Sequence, residues 1–293
     1  MTVFNLGSIN IDRFYSVAAL PGPGEPVAAA AVSEGLGGKG ANQSVAAARA
    51  AGARVVHIGA VGPDGDAALA ELAVAGVDVG AVARLAMPTG HAVVAVDERG
   101  ENQIIIAPAA NRAIPEDLIA RTLEQAGPGD LLLLQNETNG AAEAARIARR
   151  QGARVIYSAA PFALEAAQAM LGLIDVLVLN AVEAAQLGAA LGSPAEALGV
   201  PAVLVTRGAE GAAWIGPEGR IEQPAFAVEP IDTTGAGDCF TGALAGELDR
   251  GAPVATALRF AAAAAAIQVT RPGTAAAIPS RAEVEAFLAG HPG

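Results

Sequence analysis

The sequence predicts an α/β fold in which a mostly parallel central sheet carries helices on both faces and a small second sheet lies over one edge. Short β-like runs alternate with stretches rich in Ala, Glu, Arg and Leu, which is typical of βαβ units. Two extended segments interrupt this alternation, and no helix separates them from their partner strands. No linker is long enough to divide the chain, so we expect one domain over residues 1–293.

The alternating part of the chain supplies the predicted central sheet. Its β-like runs are Val3–Leu6, Arg54–Ile58, Leu131–Gln135, Val155–Tyr157, Val176–Leu179 and Ala202–Thr206. The helix-like stretches between them are Ala41–Ala51, Ala67–Ala75, Glu116–Gln125, Ala141–Arg150 and Val182–Leu191. Another alanine-rich run with helical character follows the motif "DTTGAGD". Strand, helix and strand in repeated order favour parallel pairing, because parallel strands need a long crossover connection.

The two extended segments predict the second sheet. They are "VAAAAVSE" at residues 27–34 and "TGHAVVAVDERGENQIIIA" at residues 89–107, and the latter has the pattern of a hairpin with "DERGEN" at its turn. We expect them to form a β-lid made of about residues 12–34 and 89–107.

Composition and charge exclude several classes of protein. The chain has 18 basic and 30 acidic residues, a formal net charge of −12, which argues against nucleic-acid binding. The single cysteine, Cys239, excludes an intramolecular disulfide, and the three histidines lie too far apart in sequence for a zinc motif. The longest alanine run, residues 261–266, is too short to span a bilayer, and the N-terminal residues lack an export signal. We therefore expect a cytoplasmic protein without membrane contacts.

A glycine-rich loop, "GLGGKG" at residues 35–40, runs directly into a predicted helix. It is not a Walker A loop, because Gly40 and not Ser or Thr follows Lys39. It fits a dinucleotide-binding fingerprint poorly, because a weakly strand-like segment precedes it and not the first strand of a βαβ unit. Taken alone, the loop is either a tight turn that feeds a helix or a ligand site.

Polar side chains follow several of the predicted strands. In "GSINID", Asn10 and Asp12 are two apart at the end of the first predicted strand, so both project to one face and could bind the vicinal hydroxyls of a sugar. Glu137 ends "LLLLQNE", and Asn180 and Glu183 follow the next strand on one face of a helical turn. Each could be an ordinary helix cap or turn. Together they predict a polar crevice at the carboxyl edge of the sheet.

The motifs together resemble those of a known family. In order along the chain they are "GSINID", "GGKGANQSVAAARAAGA", "IGAVGPDGD", "TGHAVVAVDERGENQIII", "LLLLQNE", "NAVE", "TRGAEGA", "DTTGAGDCFTGALA" and "VTRPGTAAAIP". The chain resembles the ribokinase-like (PfkB family) carbohydrate kinases over nearly its whole length, and most closely the ribokinases among them. The combination of "GGKGAN" with "DTTGAGD" is the most specific part of the resemblance.

The resemblance implies transfer of the γ-phosphoryl group of ATP to a primary hydroxyl of a small sugar, with ribose as the first choice. Such an enzyme must deprotonate a weakly nucleophilic hydroxyl and stabilise charge on the phosphoryl group. Gly235, Ala236 and Gly237 would direct backbone N–H groups at the γ-phosphate as an anion hole, and Asp238 would accept the hydroxyl proton. The other interpretation of Asp238 is an acidic residue that favours the helix dipole.

The resemblance also implies roles for further residues. The sugar-binding positions, with Asp238, are Asn10, Asp12, Gly38, Lys39, Asn42 and Glu137. Apolar lid contacts are Ala92, Val94 and Ile106. The nucleotide positions, with Gly237, are Asn180, Thr206, Gly208 and Gly211. Glu183 would hold Mg²⁺ through water, and a K⁺ site would involve Asp232, Thr234, Thr270 and Gly273. The lid sheet is expected to form a homodimer contact.

Some positions depart from the family pattern. Ser158 stands where similar kinases usually have an asparagine near the triphosphate, and Ala277 stands where a serine is common. After the lid, Ala109 takes the place of the glycine in "GAN", so the chain reads Ala109-Ala110-Asn111. His91 replaces an apolar residue of the lid. These departures leave Asp238 intact but weaken the choice of ribose, so another furanose, a ketose or a nucleoside remains open as acceptor. Two other classes remain as well: a nucleotide-binding oxidoreductase, suggested by "GLGGKG", and a non-catalytic sugar-binding protein, against which the presence of Asp238 argues.

Overall fold

The structure, a computed structural model, describes residues 1–291. The strands are β1 (Thr2–Leu6), β2 (Asn10–Ser16), β3 (Ala31–Gly37), β4 (Arg54–Val61), β5 (Val77–Arg84), β6 (Gly90–Val96), β7 (Asn102–Ala107), β8 (Leu131–Leu134), β9 (Arg154–Ser158), β10 (Val176–Asn180), β11 (Ala202–Thr206), β12 (Ala212–Gly216) and β13 (Gly219–Gln223). The helices are α1 (Lys39–Val45), α2 (Asp66–Val74), α3 (Glu116–Leu123), α4 (Ala141–Arg150), α5 (Leu164–Met170), α6 (Ala181–Leu191), α7 (Ala236–Asp249), α8 (Val254–Val269) and α9 (Arg281–Ala289). A π-helical turn, Ala46–Ala50, continues α1.

Nine strands form the central sheet, in the order β13-β12-β11-β10-β9-β8-β1-β4-β5. All neighbours from β11 to β5 pair in parallel, and only β12 and β13 at one edge are antiparallel. The predicted mostly parallel sheet is confirmed. Three of its strands, β5, β12 and β13, were not predicted. They lie at the two edges, where partial exposure interrupts the continuous apolar runs by which the buried strands were recognised.

Helices cover both faces of this sheet, as predicted. Successive strand residues point to opposite faces: in β8, Leu131 and Leu133 join the core beneath α1, α7 and α8, whereas Leu132 and Leu134 join the core beneath α3 to α6. Both cores are rich in alanine, so the helices can pack close to the strands. In residues 1–291 no helix is both long and apolar enough to cross a membrane.

The remaining four strands form a separate sheet in the order β3-β2-β6-β7, which we call the lid sheet. Its strands β6 and β7 are an antiparallel hairpin with the turn at residues 97–101, as the sequence predicts. Strand β3 begins at Ala31 and extends to Gly37, later than the expected segment 27–34, because it pairs with β2 from Ser16 opposite Ala31 to Asn10 opposite Gly37.

The placement of Asn10 and Asp12 at the end of the first strand was wrong. Strand β1 ends at Leu6, and both residues belong to β2 of the lid sheet. The chain leaves the central sheet at Gly7, where α1 packs so closely that a Cβ atom on Gly7 would lie 2.5 Å from the Cα atom of Gly40. Because β2 is also extended, Asn10 and Asp12 still project to one face of the sheet.

Candidate active site

Helix α1 brings the glycine-rich loop against the end of β1. A Cβ atom on Gly40 would lie 2.4 Å from the carbonyl carbon of Gly7, so only glycine allows this approach. The amide of Ala41 donates to the carbonyl oxygen of Ser8 at 2.8 Å, and Gly38 has a φ of +90° at the helix start. Helix α1 therefore begins at Lys39, two residues before the predicted start, and directs Lys39 and Asn42 toward the cleft between the two sheets.

Helix α7 places Asp238 beside α1. Gly235 precedes this helix with a φ of +77°, and Asp238 lies buried in the first turn. Asn42 Nδ2 donates to Asp238 Oδ2 at 3.3 Å, and Gln43 Nε2 donates to Oδ1 at 2.9 Å. The two helices are close because Gly242 faces the carbonyl oxygen of Gln43, which would lie 2.2 Å from a Cβ atom at that position.

Asp238 and Lys39 form the electrostatic centre of the cleft. Burial raises the pKa of Asp238, although Lys39 and the hydrogen bonds from Gln43 and Asn42 act in the opposite direction. Asp238 in turn raises the pKa of Lys39, with further contributions from Glu137 and Glu183. A protonated Lys39 therefore lies near the carboxyl groups of Asp238, Glu137 and Glu183, which come from α7, the loop after β8 and α6, respectively.

Glu137 is fixed by two hydrogen bonds to a single oxygen. Its Oε2 accepts from Ser8 Oγ at 2.5 Å and from the backbone amide of Lys39 at 3.0 Å. Both donors belong to the segments that precede and begin α1, so Glu137 ties the carboxyl end of the central sheet to the glycine-rich loop. The other oxygen, Oε1, is left for a ligand.

Asp12 enters the cleft from the lid sheet. Gly37 on the neighbouring strand β3 lies close to it, and a Cβ atom there would lie 1.8 Å from Asp12 Oδ2, so the carboxylate needs glycine at this position. Burial raises the pKa of Asp12 to about 6, and Glu137 adds to the rise, whereas the hydrogen bond from the Ala92 amide lowers it. Asp12 Oδ1 is buried and has no hydrogen-bond donor.

Asn42 Oδ1 is a second buried acceptor without a donor. Leaving a buried acceptor unpaired costs about 1–3 kcal/mol, so a ligand that carries hydroxyl groups would relieve the cost at both positions. Asn10 is held differently, because its Oδ1 accepts from Asn111 Nδ2 at 2.8 Å. That bond directs the amide nitrogen of Asn10 outward as a donor.

The apolar lid residues share a face with Asp12. In the lid sheet Asp12 is opposite Ala92 and Ala92 is opposite Ile106, while Val94 lies two residues further along β6 on the same face. Ala92 and Val94 are buried, but Ile106 remains 59% exposed. The row therefore combines one carboxylate with apolar side chains above the cleft.

The predicted nucleotide positions lie at the carboxyl ends of β10 and β11. Asn180 and Glu183 form a capping box at the start of α6, in which the Glu183 amide donates to Asn180 Oδ1 and the Asn180 amide donates to Glu183 Oε2, each at 2.8 Å. Thr206 is paired in register with Asn180. The turn that follows contains Gly208 and Gly211, both with positive φ.

The capping box leaves one oxygen of Glu183 for a ligand. Burial raises the pKa of Glu183, and the positive charge of Lys39 opposes the rise. Because Lys39 also acts on the pKa of Asp238, both carboxyl groups lie near the same lysine. In the part of the chain that the structure describes, no three His, Cys, Asp or Glu residues cluster as direct metal ligands. A single free carboxylate oxygen would suit Mg²⁺ that keeps most of its water, since Mg²⁺ is usually held by one or two carboxylates together with substrate phosphate groups.

Asp232 joins the two loops of the predicted K⁺ site. Its Oδ1 accepts from the Thr234 amide at 2.9 Å and its Oδ2 from the Gly273 amide at 3.0 Å. Burial raises the pKa of Asp232, but these hydrogen bonds outweigh it, so the pKa lies below its usual value. Since the carboxylate is already satisfied, a cation here would rely on backbone carbonyl oxygens of these loops, including that of Thr270.

The chain matches a known family along most of its length. The sequence profile described as "pfkB family carbohydrate kinase" covers residues 2–281. The chain belongs to this family. It is 35% identical to a ribokinase of Haemophilus influenzae, with 98% of each chain aligned. Its fold is similar to the crystal structure of ribokinase from Thermotoga maritima (TM-score 0.87, 34% identity, 99% of each chain) and to Arabidopsis thaliana ribokinase complexed with ribose and ATP (TM-score 0.85, 32% identity, 98% of each chain).

Membership of the pfkB family decides between the classes that the sequence left open. The chain is a carbohydrate kinase, and the oxidoreductase alternative is wrong. The structure gives the physical reason: "GLGGKG" joins lid strand β3 to α1, so it is not the first βα turn of a dinucleotide-binding unit.

Several residues that shape this pfkB-family site were not predicted. They are Ser8, Gln43, Asn111 and Gln268, which hold Glu137, Asp238, Asn10 and the Thr234 carbonyl oxygen, respectively. Gln43 and Asn111 lie in segments that the sequence marks, "GGKGANQ" and the "AAN" after the lid. Ser8 likewise lies in the motif "GSINID", whereas Gln268 lies just before "VTRPGTAAAIP" and is marked only by being polar at the end of an apolar run.

Proposed function

We propose that this carbohydrate kinase transfers the γ-phosphoryl group of ATP to the primary hydroxyl of ribose, giving ribose 5-phosphate and ADP. The observation that carries the choice of a sugar is the pair of buried acceptors without donors, Asp12 Oδ1 and Asn42 Oδ1, on either side of the cleft that contains Asp238. The similarity to a ribokinase that binds ribose and ATP supports ribose among the sugars. Another furanose, a ketose or a nucleoside is the alternative acceptor.

The proposed reaction uses the carboxylate of Asp238 and the backbone amides at the start of α7. Asp238 accepts the proton of the sugar hydroxyl while that oxygen forms a bond to the γ-phosphorus atom. The bond from this phosphorus to the β–γ bridging oxygen breaks, and ADP leaves with the electron pair. The backbone N–H groups of Gly235, Ala236 and Gly237 at the start of α7 would stabilise the charge that develops on the phosphoryl oxygens, for which the Ala236 amide would have to leave its hydrogen bond to the Thr233 carbonyl oxygen. Lys39, which lies near the carboxyl groups of Asp238, Glu137 and Glu183, would orient the phosphoryl group and offset its negative charge.

Two cations complete the proposal. Bound Mg²⁺ would neutralise the triphosphate, and Glu183 would hold it through water while Asn180, Thr206, Gly208 and Gly211 hold the nucleotide. K⁺ would be held by carbonyl oxygens of the loops that Asp232 connects. There it would fix the orientation of the neighbouring anion-hole amides.

We also propose that residues 1–293 act as a single kinase domain that dimerises through the lid sheet. Strand β7 is an edge strand, and its residues Ile104, Ile105 and Ile106 are 54%, 70% and 59% exposed. Val32 on the opposite edge strand is also exposed. Consecutive apolar side chains on an open edge favour a partner chain, because such edges otherwise promote aggregation.

The test of the proposed function is a coupled assay of ADP release with a panel of pentoses, hexoses, ketoses and nucleosides. Ribose is expected to give the highest kcat/KM. A higher value for a nucleoside or a ketose would replace ribose as the acceptor. A protein that binds a sugar by calorimetry, while no acceptor raises ADP release above the ATPase background, would refute the kinase reaction itself.

The pKa of Asp12 predicts how sugar affinity depends on pH. Sugar hydroxyl groups donate to the ionised carboxylate, so binding favours the form that exists above a pKa of about 6. Affinity should be constant above this pKa and fall by up to about tenfold per pH unit below it. Calorimetric titration of ribose between pH 5 and 8 measures this. In Asp12→Asn the affinity should be lower at pH 8 and nearly independent of pH, and an unchanged slope would remove Asp12 from the sugar site.

The loops around Asp232 predict a moderate response to K⁺. Asp232 already connects both loops, and Ala277 provides no hydroxyl group, so K⁺ should raise kcat more than Na⁺ does but bind more weakly than with serine at residue 277. Titration of KCl against NaCl at fixed ionic strength measures the effect, with Ala277→Ser as the comparison. Activity that is flat in both salts, and unchanged by Ala277→Ser, would show that the Asp232 contacts alone organise the anion hole.

A further inference from the structure

A chain of buried amide side chains leads from Asp238 into the central sheet. Gln43 Nε2 donates to Asp238 Oδ1 at 2.9 Å, and Gln43 Oε1 accepts from Gln135 Nε2 at 2.7 Å. Gln135 Nε2 also donates to Asn5 Oδ1 at 3.0 Å. Gln43, Gln135 and Asn5 are each at most 1% exposed, so these hydrogen bonds are shielded from bulk solvent. The proposed reaction gives none of these three residues a contact with ribose or ATP. Their only link to the reacting groups is the hydrogen bond from Gln43 to Asp238.

The far end of this chain fixes its direction. His57 Nε2 lies 3.1 Å from the carbonyl oxygen of Gly7, which can only accept, so His57 carries its proton on Nε2. Burial lowers the pKa of His57 to about 4, so the ring is neutral and its Nδ1 accepts from Ser44 Oγ at 2.8 Å. Ser44 Oγ, having donated its hydrogen, accepts from Asn5 Nδ2 at 2.8 Å. Asn5 Oδ1 therefore faces Gln135.

The same logic continues to Asp238. Asn5 Oδ1 requires a donor, so the amide nitrogen of Gln135 points to it, and the second hydrogen of that nitrogen goes to Gln43 Oε1. Gln43 is thereby left with its Nε2 toward Asp238 and cannot flip without breaking the bond to Gln135. Six side chains, from β1, α1, β4, α7 and the residue that follows β8, are thus compatible with only one arrangement of donors and acceptors.

We propose that Gln43 is a positioning residue for the phosphoryl transfer, which fixes Asp238 Oδ1 and leaves Oδ2 as the oxygen that accepts the sugar proton. The inference rests on the proposed function. Asn42 contacts Oδ2 only at 3.3 Å, a longer bond that a substrate hydroxyl can displace or share. Without Gln43 the carboxylate could rotate about its Cβ–Cγ bond, and the two oxygens would exchange places.

The charged and titratable groups around Asp238 define the pH readout. Burial raises the pKa of Asp238 most and the charge of Glu137 adds to the rise, whereas Lys39 from α1 lowers this pKa and so favours the ionised form; the neighbouring Cys239 is a buried thiol whose own pKa is raised, so it carries no charge. The donors Gln43 and Asn42 also favour the ionised form. Removal of the Gln43 donor should therefore raise the pKa of Asp238, and the acidic limb of the kcat profile should move to higher pH.

The experiment compares the parent protein with Gln43→Met, which keeps the length of the side chain but removes the amide. With ribose and saturating ATP, kcat should fall by about 10- to 100-fold, the usual effect of losing a hydrogen bond to a charged group. The KM for ribose should change by less than about threefold, because no sugar contact is removed. The acidic limb of kcat should move to higher pH.

A second variant, Gln135→Met, tests the direction of the chain. It removes the donor to Gln43 Oε1 without adding a charge, so Gln43 is free to turn its amide nitrogen away from Asp238, and kcat should fall with the same shift of the pH profile. The double variant should be no slower than Gln43→Met alone, because both changes remove one contact. Thr122→Val, which removes a buried hydrogen bond to Leu118 in α3 far from Asp238, is the matched control and should keep the parental profile.

The outcomes separate this inference from the proposed function. A parent protein that phosphorylates no acceptor refutes the kinase reaction. An active parent with a Gln43→Met variant of equal kcat and equal pH profile refutes only the role of Gln43. A rise of KM at constant kcat would also overturn the inference, since Gln43 would then serve ground-state binding. If circular dichroism shows that Gln43→Met is unfolded, the kcat and pH profile of Gln135→Met decide.

Discussion

Asp238→Asn should lower kcat by a factor of about 10²–10⁴, the usual contribution of a positioned acid or base. The asparagine has nearly the same shape and can keep a hydrogen bond to Gln43 or Asn42, but it cannot accept a proton from the sugar hydroxyl. Burial raises the pKa of Asp238, and a base with a raised pKa is a stronger proton acceptor near neutral pH. Steady-state kinetics with ribose and ATP measure the loss.

A matched control lies on the same helix. Asp249 is also a buried carboxyl group, at the opposite end of α7, and burial raises its pKa to about 6. Asp249→Asn should leave kcat unchanged, because it removes a similar carboxylate that lies away from the cleft. Ribose affinity by calorimetry should differ little between Asp238→Asn and the parent. A folded Asp238→Asn protein with near-parental kcat would remove Asp238 from the role of base.

The central strands could be predicted because they are buried on both faces. Runs such as Leu131–Leu134 are apolar at every position, and the observed strands contain or overlap all six predicted runs. The edge strands could not be recognised in the same way. Strand β5 mixes exposed and buried residues and contains glycine, and β13 has mainly exposed positions. Their pairing depends on neighbours that the local sequence does not specify.

The site was predictable where glycines constrain the backbone and less so where contacts are distant in sequence. The motifs "GGKGAN" and "DTTGAGD" indicated α1 and α7 directly. The hydrogen bond from Gln43 to Asp238 spans 195 residues, and that from Ser8 to Glu137 spans 129. These partners depend on the packing of α1 between β1 and α7, for which Gly40 and Gly242 provide the space. Only the folded chain shows which of several polar residues becomes the partner.

Gly237→Ala should reduce kcat/KM for ATP by about 10²–10³ without loss of stability, an effect similar to removal of one oxyanion-hole donor. Gly237 is exposed at the start of α7, its φ is not positive, and a Cβ atom there would meet no heavy atom within 4 Å. Alanine is therefore compatible with the fold and favours the helix. The added methyl group would instead occupy the open space in front of the first-turn amides, where the proposed reaction places the γ-phosphate.

Two other glycines separate this steric effect on the ligand from an effect on the fold. Gly172 is likewise exposed with open space around it, so Gly172→Ala should keep both the melting temperature and kcat/KM. Gly242→Ala would place a methyl group 2.2 Å from the carbonyl oxygen of Gln43, so it should lower the melting temperature, and activity should fall with it. Only Gly237→Ala should lose activity at parental stability. If its kcat/KM for ATP equals that of the parent, the γ-phosphate does not approach the first turn of α7, and the anion hole must be sought in another part of the cleft.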